Sequence, residues 1–260
     1  GNLRINMFKA KKRFGQNFLI DDKAIRGIIG SLDNKASDQI IEIGPGRGAL
    51  TQPLTESQCH LTLIEIDRNL ATELSARFPK ARLINADVMA IDLDQLAKKS
   101  SVRIVGNLPY NISTPLLFKL FDSGEYIHDM HFMLQREVVD RMTAQPSTKA
   151  YGRLSVMTQI NCRTEKLFEI SPESFSPQPK VHSAIIRLTP NGKLRGLPRK
   201  ILERILIQAF SMRRKTIRNA LKPFLSPKDL AILNLDPQLR PENLTIDEYL
   251  SCAKFVENQQ

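Results

Sequence analysis

The stretch Glu42-Ile43-Gly44-Pro45-Gly46-Arg47-Gly48-Ala49 decides the fold. It begins in the end of the apolar run Gln39 to Ile43, which reads as a strand, and opens a helical pattern near Ala49 to Glu56. Glycines between a strand and a helix let the backbone turn sharply and approach a ligand closely. The alternation continues outward from this turn. His60 to Ile66, Ala81 to Ile84, Val102 to Val105 and Met130 to Leu134 read as short strands. Asp22 to Leu32, Arg68 to Phe78, Asp92 to Lys98, Thr114 to Phe121 and Arg136 to Met142 read as helices. Strands that alternate with helices imply right-handed crossovers and an α/β fold, its parallel sheet covered on both faces. Two longer apolar runs, Ser155 to Ile170 and His182 to Leu188, flank a loop containing Pro172, Pro177 and Pro179. They are expected to add an antiparallel hairpin at the sheet edge.

The turn-rich segment Pro190-Asn191-Gly192 to Gly196-Leu197-Pro198 marks the expected domain boundary. Residues 1–192 form the α/β domain in this reading, and residues 193–260 a small all-α domain. Ile201, Ile205, Leu206, Ala209 and Phe210 recur on one face of a helix drawn over Arg199 to Leu221. Ser226-Pro227 pairs a cap with a first-turn proline, and Thr245-Ile246-Asp247-Glu248 is a capping box opening the last helix.

Charge separates the chain into parts. Residues 1–20 carry five basic side chains and no acidic one, and residues 193–222 carry ten basic side chains against Glu203 alone. With a net charge of +11 overall, the remainder is slightly acidic. A near-neutral body with two basic segments is the electrostatic footprint of a polyanion, and nucleic acid fits better than a membrane surface. No apolar run reaches the roughly 18 residues that span a bilayer, and the basic N-terminus lacks the apolar core of a secretory signal. Cys59, Cys162 and Cys252 are odd in number and widely spaced, as expected in a reducing, cytoplasmic setting without a disulfide framework. His128 and His131 lack further ligands and read as structural, so no metal is expected.

Three further features fall at successive strand ends. Glu65, about 20 residues beyond the glycine turn, has the position of a ribose-hydroxyl acceptor. Asp87 in Asn85-Ala86-Asp87-Val88 is placed to accept from an adenine amino group, or to cap a helix. Asn107-Leu108-Pro109-Tyr110 follows the fourth strand. The Asn107 side-chain carbonyl and the Leu108 backbone carbonyl can accept the hydrogens of a planar exocyclic amine. Tyr110 can stack on its ring, a contact worth ~1–3 kcal/mol. Taken singly, the same residues also make an ordinary turn, and Gly44 and Gly46 with Glu65 would equally suit a nicotinamide dinucleotide.

The order of these motifs resembles the class I S-adenosylmethionine-dependent methyltransferases, in particular the N6-adenine branch. Lys12-Arg13-Phe14-Gly15-Gln16-Asn17-Phe18-Leu19, Gly106 to Ser113 (G-N-L-P-Y-N-I-S), Tyr151-Gly152-Arg153-Leu154-Ser155, Phe175 to Val181 (F-S-P-Q-P-K-V) and Arg213 to Asn219 (R-R-K-T-I-R-N) narrow it. Together they resemble the small-subunit ribosomal RNA adenine dimethyltransferase family. The resemblance implies a Rossmann-like, mostly parallel seven-stranded sheet and dimethylation of two adjacent adenosines near the RNA 3′ end. It implies S-adenosyl-L-methionine held by Asn17, Leu19, Gly44, Gly46, Glu65, Asp87 and Asn107, with Phe175 as a second aromatic face for a flipped base. Arg13, Arg213, Arg214, Lys215 and Arg218 would contact RNA within the immature 30S subunit, the enzyme acting as a monomer. His182 stands where the family usually has Asp.

Other readings remain open at this level. A nicotinamide-dependent oxidoreductase would use the glycine turn and Glu65, but leaves N-L-P-Y and the basic segments idle. A related methyltransferase acting on large-subunit RNA shares the cofactor and target motifs. An assembly factor, binding first and methylating as an exit signal, is compatible with the basic helical domain.

Overall fold

The run Gln39-Ile40-Ile41-Glu42-Ile43 alternates its side chains between two apolar surroundings, and the sheet is built outward from it. The computed structural model describes residues 16–97 and 100–260. In chain order the strands are β1 (Phe18–Leu19), β2 (Gln39–Ile43), β3 (His60–Glu65), β4 (Arg82–Asn85), β5 (Val102–Asn107), β6 (Ile127–Gln135), β7 (Cys162–Ile170), β8 (Phe175–Ser176) and β9 (Ser183–Pro190). The helices are α1 (Asp22–Leu32), α2 (Thr51–Glu56), α3 (Arg68–Arg77), α4 (Leu93–Ala97), α5 (Ser113–Asp122), α6 (Arg136–Met142), α7 (Arg153–Asn161), α8 (Arg199–Ser211), α9 (Ile217–Ala220), α10 (Pro227–Ile232) and α11 (Ile246–Asn258). Seven strands form one sheet in the order β4-β3-β2-β5-β6-β9-β7, and β1 pairs with β8 in a separate two-stranded ladder. The pairs from β4 through β6 are parallel, whereas β9 runs antiparallel to β6 with Phe132 opposite Ile186. The doubly covered α/β sheet is as expected.

The chain divides into two compact units. Residues 1–139 with 165–190 form the first, and residues 140–164 with 191–260 the second. The break near residue 190 lies close to the expected boundary, but residues 140–164 group with the helical unit rather than the sheet. The cause is burial within that unit. Tyr151, Val156, Met157 and Ile160 are buried, and the Tyr151 hydroxyl donates to the Leu244 carbonyl at 2.6 Å. The run Ser155 to Ile170, expected as strand throughout, is therefore helix α7 before it becomes β7. The single helix drawn over Arg199 to Leu221 is also two: α8 stops at Ser211, a turn follows, and α9 begins at Ile217.

In the first unit, one face of the sheet packs Ile40, Leu63, Val105, Met133 and Ile185 against Ile28 and Leu32 of α1, Leu54 of α2 and Leu74 of α3. Each such side chain contributes about 1.5–3 kcal/mol when fully buried. On α5, Leu116, Leu117 and Leu120 are completely enclosed. Two arginines fix the last turn of α1. Arg103 donates to the Leu32 carbonyl (2.7 Å) and to Asp38 and Asp129, while Arg187 donates to the Ser31 carbonyl (2.8 Å) and to Glu165. Cations suit a helix C-terminus, where carbonyls lack intrahelical partners. Arg187 Nε also donates to His131 Nε2 at 3.0 Å. Burial, with the Arg187 and Arg103 charges nearby, pushes the His131 pKa down to about 4, so it accepts as a neutral ring. His128 is exposed, and no cluster of three or more His, Cys, Asp or Glu side chains suited to a metal occurs among the described residues. No helix there is long and apolar enough to cross a membrane.

Candidate active site

The site lies where the parallel strands end. Gly44, Gly46 and Gly48 all take positive φ, +64°, +58° and +84°. At Gly46 the need is twofold, because a side chain there would be strained and its Cβ would stand 2.9 Å from the Phe18 ring. The turn is closed by Gly48 N donating to the Pro45 carbonyl (2.9 Å) and anchored by Gly44 N donating to Ile64 (2.9 Å). Two cavities open beside it. The first is lined by Gly46, Glu42, Asn17, Asn107, Pro109 and Tyr110. The second, about 270 Å³, is lined by Ile43, Glu65, Asp87, Val88, Pro109 and Asn111. Gln16, Gly44 and Pro109 belong to both, so the two are consecutive reaches of one crevice.

Glu65 ends β3 and is 1% exposed. Its carboxylate accepts from Gly46 N (3.1 Å) through one oxygen and from Asp67 N (2.9 Å) through the other. Burial raises its pKa, the backbone donors opposing that rise. Each carboxylate oxygen retains acceptor capacity, so Glu65 can still receive a hydroxyl from the second cavity. Asp87 is exposed and caps the 3₁₀ turn Val88–Ala90, with Oδ1 accepting from Met89 N at 2.9 Å. Capping and cavity lining coincide in this residue.

Asn107 ends β5 and donates through Nδ2 to the Asn17 carbonyl at 2.8 Å. With the amide nitrogen committed there, Oδ1 is left as the acceptor of the pair. Leu108 is buried, and its N–H donates to Met133 O (3.3 Å), which fixes the turn against β6. The Tyr110 hydroxyl lies 2.8 Å from Ser183 Oγ on β9, and the half-buried phenol has a raised pKa because burial disfavours its anion. Leu19 is buried and lines the first cavity.

Phe175 does not reach the site. It pairs with Leu19 across the β1–β8 ladder, is 3% exposed and lines neither cavity, so it packs as a core side chain. Within the two-residue strand β8, register against the buried Leu19 places the ring in the core. His182 is exposed and outside both cavities; its carbonyl accepts from Arg136 N at 2.9 Å.

Two lining residues, Glu42 and Arg47, and one residue behind the lining, Ser183, carry no role in the sequence reading. Glu42 is 2% exposed, accepts from the Thr51 hydroxyl at 2.5 Å, and burial pushes its pKa up to about 8. Its signal was legible: one carboxylate in an otherwise apolar strand, directly before the glycine turn. Arg47 stands 4.6 Å over the Phe18 ring. Ser183, 73 residues from the tyrosine it holds, had no local signal.

In the helical unit, Arg214, Lys215 and Arg218 are exposed. Arg213 differs. It donates to Glu242 at 2.9 Å and to the Thr148 and Lys149 carbonyls at 3.2 and 2.8 Å, so its guanidinium serves the fold. Arg13 lies outside the described residues.

The residues present suit an elongated cofactor with a cationic amino-acid end and a nucleoside end. The glycine cradle that a Cβ at position 46 would fill admits its backbone-hugging part, Glu42 supplies a buried carboxyl beside that reach, and Glu65 and Asp87 supply acceptors beside the other.

Comparison with known proteins places the chain in a family. The family described as "Ribosomal RNA adenine dimethylase" matches residues 7–258. "Ribosomal RNA small subunit methyltransferase A" of Legionella pneumophila (strain Corby) is 49% identical over 253 residues, covering 95% of this chain and 98% of that relative. The protein of the same name from Colwellia psychrerythraea is 47% identical over 254 residues, covering 95% and 84%. Among solved structures, a dimethyladenosine transferase from Plasmodium falciparum shares the fold with a TM-score of 0.78 at 24% identity, covering 90% of this chain and 95% of that one. The 23S rRNA methyltransferase ErmE does so with 0.71 at 24% identity, covering 93% and 100%. With the family match running from residue 7 to residue 258, the chain belongs to the ribosomal RNA adenine dimethylase family.

Proposed function

We propose that this chain transfers methyl groups from S-adenosyl-L-methionine to N6 of two adjacent adenosines near the 3′ end of small-subunit ribosomal RNA. The substrate is the RNA within an immature 30S particle in the cytoplasm, and the protein acts as a monomer. The observation that carries the reading is the meeting of the two cavities at Pro109, with the Asn107 acceptor and the Tyr110 ring on one side of it. An adenine brought there can donate both amino hydrogens to Asn107 Oδ1 and the Leu108 carbonyl. That directs the nitrogen lone pair away from the ring plane, and Tyr110 supplies the stacking surface. The target must leave its base stack to enter. Bound cofactor supplies an electrophilic methyl group; the chain supplies orientation and exclusion of water. The second methylation repeats the geometry with one hydrogen already replaced, so one acceptor suffices. Exposed Arg214, Lys215 and Arg218 support a polyanionic partner.

The test offers labelled methyl donor with unmodified small subunits, bare ribosomal RNA and DNA, followed by mapping of the product. Dimethylated adenosines at two neighbouring positions of small-subunit RNA are expected. Label on another base, or on DNA alone, would overturn the proposal.

A further inference from the structure

A third hollow of about 440 Å³ lies in the sheet-bearing unit, on the outer side of the glycine turn, between α1, α2 and the end of α3. Its floor is apolar, with Leu19, Ile25 and Pro53, and Ile20 beside it is 58% exposed. Its rim carries Arg26, Arg47 and Arg77, with Asp22 as the acidic side chain among its lining residues. Arg26 and Arg47 are exposed and form no ion pair among the described residues. Arg47 is spread over the Phe18 ring, and Arg77 over Phe78 at 4.9 Å while donating to the Arg47 carbonyl at 2.6 Å. Phe18, Leu19, Arg47 and Ala49 line both this groove and the first cavity, so the groove leads into the reaction site.

Uncompensated arginines around an apolar trough are what an unpaired nucleic-acid strand requires: guanidinium groups for its phosphates and a flat apolar floor for its bases. The chain preceding Gln16 carries five basic and no acidic side chains, so like charge argues against that segment as the occupant. We infer that this groove is a binding track for the single-stranded RNA flanking the methylated adenosines, its phosphates engaged by Arg26, Arg47 and Arg77. The inference rests on the RNA methyltransferase reading and adds the path of the strand on the protein surface.

Arg26→Glu and Gln52→Glu alter the groove without touching either cavity, and Lys23→Glu gives the same charge change as Arg26→Glu on α1 outside the groove. Binding of fluorescein-labelled, unmodified small-subunit ribosomal RNA is measured by anisotropy across a salt series, together with S-adenosylmethionine binding by calorimetry and the kinetics of transfer. Arg26→Glu should weaken RNA binding on the order of 10-fold and flatten the salt dependence by about one unit of slope. Gln52→Glu should act in the same direction and Lys23→Glu much less. Cofactor affinity and kcat at saturating RNA should hold, so the change falls on KM. If Arg26→Glu and Gln52→Glu match Lys23→Glu in an enzyme that still methylates RNA, the track is wrong. A wild-type protein unable to methylate RNA overturns the track together with the activity it serves.

Discussion

Asn107 reaches across 90 positions of sequence to donate to the carbonyl of Asn17 at 2.8 Å, so the turn after β5 and the segment before β1 are one hydrogen-bonded piece. Its nitrogen is thereby committed to ordering that segment, and its oxygen is left as the acceptor that the proposed reaction assigns to the target amine. Asn107→Ala should lower methyl transfer on the order of 100-fold or more, while cofactor affinity, measured calorimetrically, falls only several-fold. Near-normal transfer by this variant would remove Asn107 from the mechanism.

Gly106 approaches β2 so closely that a Cβ would stand 2.6 Å from the Ile43 carbonyl oxygen. Backbone cannot retreat there without disturbing the glycine turn that follows Ile43. Gly106→Ala should therefore destabilise the protein by about 1–3 kcal/mol, read from chemical denaturation, and weaken cofactor binding in the same variant.

The buried carboxyl of Glu42, pushed up to about 8, makes stability depend on pH. The folded state holds this proton more tightly than the unfolded chain, so its contribution is full below the unfolded value of about 4.5 and is lost as pH rises towards 8. The slope is at most about 1.4 kcal/mol per pH unit for one group. Glu42→Gln should flatten the decline in denaturation midpoint between pH 5 and 8. A variant whose midpoint follows the wild-type curve throughout would show that Glu42 ionises freely.

Arg213 and its neighbours should separate cleanly. Arg213→Ala removes the Glu242 pair and two carbonyl contacts, and should reduce stability by roughly 2 kcal/mol. Arg214→Ala, Lys215→Ala and Arg218→Ala should leave the melting temperature unchanged and weaken RNA binding, each lowering the salt slope by about one where it meets a phosphate. Equal melting behaviour for all four variants would contradict the structural role of Arg213.

Much of this was legible along the chain. Strand β2, helix α1 and helix α6 were readable from their residue patterns, with the bounds that the structure shows. Helix α7 was not: Val156, Met157, Thr158, Ile160 and Asn161 are all buried, so no polar face betrays the helical period, and the run resembles a strand. Phe175 and Arg213 fell inside recognisable motifs, but a motif does not say whether a ring faces the crevice or the core, or whether a guanidinium is already spoken for. Those answers come from partners distant in sequence, Leu19 for the one and Glu242 for the other. Glu65 and Asp87 were placed by strand order alone, since the C-terminal ends of neighbouring parallel strands form one edge.

The tether from Tyr110 to Ser183 has a thermodynamic consequence. A tyrosine ring on a surface turn loses rotamer freedom when a flat partner settles on it, and that loss weakens binding. Here the hydroxyl is already held at 2.8 Å by a strand that runs opposite to its neighbour β6. The ordering therefore happens when the protein folds, ahead of any ligand. The reversed strand β9, which interrupts the parallel sheet, thus serves as a brace that makes the aromatic surface rigid in advance; in the proposed reaction, recognition of the base would then proceed by shape.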